Sequence, residues 1–335
     1  MSLNRITLVF EDGRSVEVGA LAHETVYSAA LRQKVRLEHD CLEGACASCK
    51  ALCTSGEYAL GDVSEDALSK AEAAQRQVLA CQMRATSDCV LEFGYDSALA
   101  LGKQAPVDLA ATLVSAERVS STVVRLELAL QGRAPAFLAG QYVHLSVPGT
   151  DARRSYSFAN PPGEGARLLF YVKQLASGAM SGYVGRAAPG DAFTLTGPYG
   201  RFYLRAPQRP ILMVAGGTGL APMLSMLEQL ASQGCAQPIH LLYGVAEPQE
   251  YFGSAQLEAL AARGLMLTVE RISVAADGGK PAGHVTGLLR AELVHPGGVD
   301  AYLCGPPPMV EAATNWLLGA GVPQARIHAE KFLPS

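Results

Sequence analysis

Three cysteines crowd into Asp40-Cys41-Leu42-Glu43-Gly44-Ala45-Cys46-Ala47-Ser48-Cys49 at the spacing C-x4-C-x2-C, and Cys81 follows in Leu79-Ala80-Cys81-Gln82. That spacing, closed by a distant fourth cysteine, is the plant-type ligand pattern of a [2Fe–2S] cluster. Three thiolates must converge from one loop, so the residues between them must let the backbone wrap closely. Gly44, Ala45, Ala47 and Ser48 are small enough. The competing readings are structural zinc, a disulfide framework, or thiols with no shared role. Structural zinc usually shows two separate close pairs, whereas this chain has one close grouping and a lone fourth cysteine. Cys41, Cys46, Cys49 and Cys81 are therefore the expected cluster ligands.

Three further stretches carry groups suited to an organic cofactor. Arg153-Arg154-Ser155-Tyr156-Ser157-Phe158 sets guanidinium, phenol and hydroxyl groups along one short strand. An Arg can clamp a phosphate through two N–H donors, a Tyr can lie against a planar ring, and a Ser can hydrogen-bond a heterocycle nitrogen. Lys173 to Ser181, with Ser177-Gly178-Ala179-Met180-Ser181, can present backbone N–H groups to a diphosphate at a helix start. Pro210-Ile211-Leu212-Met213-Val214-Ala215 is the continuous apolar run of a buried parallel strand. It enters Gly216-Gly217-Thr218-Gly219-Leu220-Ala221-Pro222, after which a helix reads through Met223, Leu224, Met226, Leu227 and Leu230. Strand, glycine loop and helix together let backbone approach a pyrophosphate, although G-x-G-x-x-G itself is absent. Taken singly, each stretch is also ordinary strand and turn chemistry.

The elements that position these groups belong to a chain of 335 residues, long enough for two or three domains. Its 49% hydrophobic and 17% charged content suits packed cores rather than disorder. No apolar run approaches the roughly 20 residues needed to span a bilayer, and the start, Met1-Ser2-Leu3-Asn4-Arg5, lacks the apolar core of a signal peptide. A reducing cytoplasm is the expected compartment. The net charge of −4 argues against a nucleic-acid partner. Residues 1–97 hold 15 acidic and 9 basic side chains, net −6, which leaves +2 for residues 98–335. An acidic cluster domain can steer towards a basic acceptor protein, or its acidity can simply keep it dissolved.

Residues 1–97 read as a ferredoxin-like domain. Ile6, Leu8 and Phe10 alternate with polar residues, Asp12-Gly13 signals a hairpin, and Val16 and Val18 resume the alternation. Thr25 caps a helix over Val26–Lys34, a short strand follows near Ala51–Cys53, Ser64–Gln75 reads as a helix, and Cys89–Phe93 as a closing strand. Cys53 and Cys89 fall within strands, where packing accounts for them. Residues 98–106 read as a linker within Ser97–Pro106. Residues 107–207 are all-β, with strands at Ala111–Glu117, Thr122–Leu130, Gln141–Val147, Ser155–Phe158, Leu168–Val172 and Ala192–Leu195, which predicts an antiparallel barrel.

Residues 208–335 alternate strands with helices at Ser254–Ala262, Thr286–Val294 and Met309–Leu318, the pattern of an open parallel α/β sheet. Further strands are Ile239–Tyr243, Leu265–Val269 and Val299–Leu303. Ligands bind such sheets at the carboxyl ends of strands, where Gly216–Gly219, Gly244 and Cys304-Gly305 should converge. Cys304 alone reads as a buried, inert thiol. His144 has no partner in sequence and reads as structural; His23, His39, His240, His284, His295 and His328 show no pairing that indicates a metal.

With these motifs in order, the chain resembles the one-component reductases of benzoate 1,2-dioxygenase and its toluate and anthranilate counterparts, within the ferredoxin–NADP+ reductase superfamily. The resemblance rests on the cysteine loop followed by Arg154-Ser155-Tyr156-Ser157, Gly178 to Ser181, Gly197-Pro198-Tyr199-Gly200-Arg201-Phe202, Gly216 to Pro222, Leu303-Cys304-Gly305-Pro306 and Glu330-Lys331-Phe332. It implies a β-grasp [2Fe–2S] domain, an antiparallel β-barrel FAD domain and an α/β parallel-sheet NAD domain. FAD would meet Arg154 at its phosphates, Tyr156 at the isoalloxazine and Ser157 near N5. Lys173, Gly178, Met180 and Ser181 would line the pyrophosphate. NADH would lie over Gly217, Thr218 and Gly219, with Cys304 and Gly305 near the nicotinamide, Glu330 in the catalytic group, and Phe332 over the opposite flavin face. The three residues past Phe332, Leu333-Pro334-Ser335, depart from the pattern and weaken that last assignment. After the second nucleotide strand, Gly244 to Phe252 has no Lys or Arg, and Glu247 or Glu250 is placed to bond a ribose hydroxyl and repel a 2′-phosphate, which predicts NADH over NADPH.

The implied function is an NADH:ferredoxin-type oxidoreductase. NADH gives two electrons as hydride and a [2Fe–2S] cluster takes one, so FAD must stand between them. A separate Rieske oxygenase would be the acceptor. Plant-type clusters lie near −400 mV and Rieske centres at about −150 to +300 mV; at roughly 59 mV per decade, even about 250 mV drives transfer by four decades. Reductases of diiron monooxygenases (phenol or methane type) and of deoxysugar biosynthesis share the layout, and a redox sensor is the reading from another class. NADH-dependent diaphorase turnover separates a reductase from a sensor.

Overall fold

The alternation of Ile6, Leu8 and Phe10 becomes β1 (Asn4–Phe10), whose inward side chains are buried, and Gly13 at φ 78° turns the chain into β2 (Ser15–Ala20). The computed structural model describes residues 3–332 apart from 103–105, 164, 277–281 and 295–297. Its chain divides into two compact units, Met1–Ala105 with Tyr199–Arg201, and Pro106–Pro198 with Phe202–Ser335.

In the first unit, α1 (Val26–Arg32) is capped by the Thr25 side chain, which accepts from the Ser28 N–H. It stops two residues short of Lys34, which takes left-handed backbone at φ 67°. There follow β3 (Lys50–Ser55), β4 (Tyr58–Leu60), α2 (Lys70–Ala74), β5 (Gln77–Leu79), β6 (Met83–Ala85), β7 (Cys89–Phe93) and α3 (Ser97–Leu101). The main sheet runs β2-β1-β7-β3-β5, with β1 parallel to β7, and β4 pairs with β6. This is the expected β-grasp arrangement. The second helix is shorter than expected, and the expected linker contains a short helix. The helix over Ser64–Gln75 begins only at Lys70, because Ser69 and Glu72 form a reciprocal capping box that fixes the start there. The linker opens as α3, whose first turn is capped by the Asp96 side chain; residues 103–105 of the linker lie outside the described residues.

The second unit begins with β8 (Val107–Arg118), β9 (Val123–Leu130), β10 (Tyr142–Ser146), β11 (Arg153–Ser157), β12 (Arg167–Lys173), α4 (Ala179–Val184) and β13 (Ala192–Tyr199). The sheet order is β11-β10-β13-β8-β9-β12, and its edge strands β11 and β12 lie against each other, so the sheet is a nearly closed barrel. Leu126, Leu128, Val143, Leu145, Phe158, Phe170 and Leu195 fill it.

A parallel sheet follows: β14 (Ile211–Gly216), α5 (Leu220–Ser232), β15 (Ile239–Val245), α6 (Ser254–Ala262), β16 (Leu267–Ser273), β17 (Asp300–Gly305), α7 (Pro307–Gly319) and β18 (Ile327–Lys331), in the order β16-β15-β14-β17-β18. The order reverses between β14 and β17, which opens a crevice at their carboxyl ends. Three differences from expectation appear here. The stretch Thr286–Val294 is two 3-10 turns, Val285–Leu288 and Ala291–Leu293, rather than a helix. The third strand starts at Leu267, because Leu265 is buried in the core beside α5 and α6 instead of pairing in the sheet. The polar β18 extends the sheet as a fifth strand. No helix among the described residues is long and apolar enough to cross a membrane.

Candidate functional site

The cysteine loop is held by its own backbone. Leu42 and Ala47 take left-handed backbone at φ 61° each, and Gly44 does so at φ 78°. A Cβ on Gly44 would sit 2.4 Å from the Asp62 carbonyl oxygen, so glycine is required where the loop passes that segment. The turns aim N–H groups at sulfur: Ala45 N and Glu43 N donate to Cys41 Sγ at 3.3 and 3.4 Å, and Cys41 N donates to Cys46 Sγ at 3.4 Å. Cys81 is brought in from β5 through Ala80, whose N–H donates to the Cys49 carbonyl at 3.0 Å.

The four thiols stand as two interacting pairs, Cys41 with Cys46 and Cys49 with Cys81. Interaction with the Cys46 thiol, helped by the loop N–H groups, holds Cys41 down to about 5, while the same interaction and burial push Cys46 up. In the second pair Cys49 holds Cys81 down to about 7. Among the described residues no three His, Cys, Asp or Glu side chains gather as they do around one ion. Two pairs are what a two-iron cluster with four cysteines needs, two thiolates to each iron. The donors, their number and the N–H groups facing sulfur fit a [2Fe–2S] cluster.

The second site is built between the barrel and the parallel sheet, within the second unit. Ser157 ends β11, and its Oγ donates to Glu330 Oε2 of β18 at 3.4 Å. Cys304 pairs with Glu330 across the β17–β18 ladder and is fully buried; burial first, and Glu330 second, push its thiol up. The Cys304 side chain therefore belongs to the core, and what it presents at the crevice is backbone. A Cβ on Gly219 would lie 2.1 Å from the Cys304 carbonyl oxygen, and one on Gly305, at φ 152°, would lie 3.1 Å from Gly216 Cα. The two glycine segments thus pack backbone against backbone. Phe332 donates its N–H to the Gly305 carbonyl at 2.8 Å and packs beside the core containing Cys304.

The other expected residues divide. Tyr156 is half-buried against the barrel core, and burial pushes its hydroxyl up. Arg154 Nη1 donates to the Arg153 carbonyl at 2.8 Å. Ser181 Oγ accepts from Leu175 N at 2.8 Å and donates to the Lys173 carbonyl at 3.4 Å, so it staples the turn before α4. A Cβ on Gly178 would strike that hydroxyl at 2.8 Å, and Met180 is buried in the barrel. For Gly178, Met180 and Ser181 the backbone, rather than the side chains, is what can face a diphosphate. The Lys173 ammonium lies 3.9 Å from Glu250. Glu250 also accepts from Ala246 N at 3.3 Å, which leaves exposed Glu247, at the head of the next turn, as the ribose candidate.

Reading the sequence missed one brace. Ser225, wholly buried on α5, donates to the Asn160 carbonyl just beyond β11 at 2.7 Å and ties the helix after the glycine loop to the end of that strand. A lone serine inside Met223-Leu224-Ser225-Met226-Leu227 was the available signal. His144, which sequence left unpartnered, shares a hydrogen bond of 3.1 Å with Ser155 Oγ; His295 lies outside the described residues.

Residues 9–86 match the family of 2Fe-2S iron-sulfur cluster binding domains, 110–203 the oxidoreductase FAD-binding domain, and 213–315 the oxidoreductase NAD-binding domain. The toluate 1,2-dioxygenase electron transfer component of Pseudomonas putida is 42% identical, with 99% of each chain covered. The chain belongs to the dioxygenase electron transfer component family. Another member, the 2-halobenzoate 1,2-dioxygenase component of Burkholderia cepacia, is 39% identical, again over 99% of both chains. Among solved structures, the Amycolatopsis cytochrome P450 reductase GcoB superposes with a TM-score of 0.73 at 31% identity, covering 98% of this chain and 99% of that one. The three matched domains bind a [2Fe–2S] cluster, FAD and NADH, and the residues described above fit these groups.

Proposed function

We propose that this chain is the NADH-dependent reductase of a benzoate-type aromatic-ring-hydroxylating dioxygenase, and that it delivers single electrons to a separate Rieske oxygenase component. When bound, FAD converts the hydride of NADH into single electrons and the [2Fe–2S] cluster carries them one at a time. Residues 1–97 hold the cluster through Cys41, Cys46, Cys49 and Cys81, residues 107–207 hold FAD, residues 208–335 hold NADH, and 98–106 join them. Arg154 clamps phosphate, Tyr156 backs the ring, and backbone at Gly178–Ser181 faces the diphosphate. Gly217, Thr218 and Gly219 receive the dinucleotide, and Glu247 bonds the ribose. The free cysteines fit a reducing cytoplasm.

The observation that carries this reading is the Ser157–Glu330 contact beside Cys304. It brings the hydroxyl of the Arg-x-Tyr-Ser strand to the mouth of the nucleotide crevice, where Ser157 can orient a flavin edge and Glu330 can hold that hydroxyl in register. Ser157→Ala should slow anaerobic reduction by NADH about 100-fold, the usual cost of one lost positioning contact, and leave FAD bound. An unchanged stopped-flow rate would remove Ser157 from the chemistry. For the whole assignment, oxygen uptake dependent on NADH and an aromatic acid, reconstituted with candidate oxygenases, is the test. Support of a diiron monooxygenase but of no Rieske oxygenase would transfer the protein to the other class.

A further inference from the structure

Beyond the four ligand cysteines and the solitary Cys235 and Cys304, the chain has Cys53 and Cys89. Cys53 lies on β3, and Cys89 opens the antiparallel neighbour β7. In a regular ladder they would be diagonal neighbours, about 7–8 Å apart. The register shifts between Cys53 and Ser55, however, so Thr54 is an extra, bulged residue and the local geometry changes. Both sulfurs now aim into one turn: Cys53 Sγ is 3.3 Å from the Ser55 carbonyl oxygen and Cys89 Sγ is 3.4 Å from that of Glu57. The two thiols are close enough to interact directly, and Cys53 helps to push the Cys89 thiol up. Gly56, at φ 94°, closes the turn so tightly that a Cβ there would sit 2.6 Å from Cys89 Sγ.

Burial alone would leave both thiols inert. Arg76 changes that. Held in left-handed backbone at φ 62°, it sends its guanidinium to the carbonyls of Cys53 (2.9 Å) and Gly56, over the Tyr58 ring (5.3 Å to the centroid), and to Cys53 Sγ at 3.5 Å. That guanidinium places a fixed positive charge 3.5 Å from the Cys53 sulfur, where charge develops during attack on an oxidant, and the Arg76 side chain is half-buried.

We propose that Cys53 and Cys89 are a peroxide-sensitive dithiol, separate from the cluster ligands, that is oxidised to a disulfide joining β3 and β7. The Cys53 thiolate attacks hydrogen peroxide; the S–O bond forms as O–O breaks, hydroxide leaves, and it takes up the displaced thiol proton as water. Cys89 then attacks the Cys53 sulfenic acid, forms S–S, and a second water leaves. Two thiols lose two electrons and two protons, and one peroxide becomes two waters. Two equivalents of a reduced thiol such as glutathione reverse the bridge by exchange. Cys53 acts first because Arg76 faces it, whereas burial and the neighbouring Cys53 push the Cys89 thiol up to about 11.

The test uses the holoprotein, titrated with hydrogen peroxide while cluster absorbance is followed, then alkylated, digested without reductant and read by mass spectrometry. The expected product is a cross-linked peptide pair containing Cys53 and Cys89, two hydrogens lighter than the free peptides, formed before the cluster bleaches and removed by dithiothreitol. In Cys89→Ala, dimedone should trap sulfenic acid on Cys53. Full alkylation of both residues at peroxide levels that already bleach the cluster would overturn the proposal, and so would dimedone capture on Cys89 of Cys53→Ala with none on Cys53 of Cys89→Ala.

Discussion

The cysteine loop and the glycine crevice both bring backbone close to a cofactor, by different means. The loop does so within one run of chain, with Leu42, Gly44 and Ala47 in left-handed backbone. The crevice does so with segments far apart in sequence, Gly219 against Cys304 and Gly305 against Gly216, set by the neighbouring strands β14 and β17. Among the described residues every left-handed non-glycine residue, Lys34, Leu42, Ala47 and Arg76, lies in the first unit. Such backbone costs about 1–2 kcal/mol per residue and persists only where surroundings over-determine it. In the loop those surroundings are N–H groups aimed at sulfur, so its shape depends on what the sulfurs hold. The crevice rests on a buried parallel sheet, so its shape is set by strand pairing.

The contrast can be broken first at the loop. Cys46→Ser replaces a thiolate in its middle, so iron and acid-labile sulfide should fall to background and cytochrome c reduction should collapse. Ferricyanide reduction by NADH, which can draw on flavin, should survive largely intact, because the second unit's site uses none of the loop. Parallel loss of both activities would show that the two regions do not act independently. Next comes the crevice. Gly219→Ala forces a Cβ against the Cys304 carbonyl, backbone on backbone, and a displacement of that size should lower kcat/KM for NADH about 100-fold with iron content unchanged.

A smaller effect tests the crevice edge. With Glu250 engaged by Ala246 N and Lys173, Glu247 alone should repel a 2′-phosphate, so the wild type should prefer NADH. Glu247→Lys should narrow that preference by about tenfold, roughly the 1.4 kcal/mol of one charge contact. Equal preference in both proteins would assign selectivity elsewhere.

The smallest effect concerns the framework of the first unit. The Arg32 guanidinium, with the Leu21 N–H, holds the Glu24 carboxyl down to about 2. Because the folded value is depressed, its stabilisation is present above the ordinary value of 4.5 and is lost as pH falls towards 2. As a solvent-screened surface pair it contributes little. Glu24→Gln should lower the melting temperature slightly at pH 7 and not at all near pH 2.

The same contrast explains what could be read from sequence. The cysteine ligands were legible because their contacts are local, and β14 with its glycine loop because a fully buried parallel strand is continuously apolar. The crevice residues appeared only as short motifs, and their joining by Ser157–Glu330 and Ser225–Asn160 is tertiary. Polar Ile327–Lys331 gave no strand signal, since β18 is an edge whose ladder depends on β17 rather than on its own pattern. Val285, Leu289 and Leu293 repeat every fourth residue like a helix, yet Leu289 and Arg290 are extended and break the stretch into two turns.

The parallel pairing of β1 with β7 has a consequence for synthesis. Every ligand cysteine lies between those two strands in the chain, so the sheet cannot close until all four thiols have left the ribosome. Non-local pairings of this kind form slowly, and domains fold as units as the chain emerges. The nascent first unit therefore passes through an interval in which its thiols are all present and its closing strand is absent. The ligand thiols are thus all made before the strand that closes their sheet.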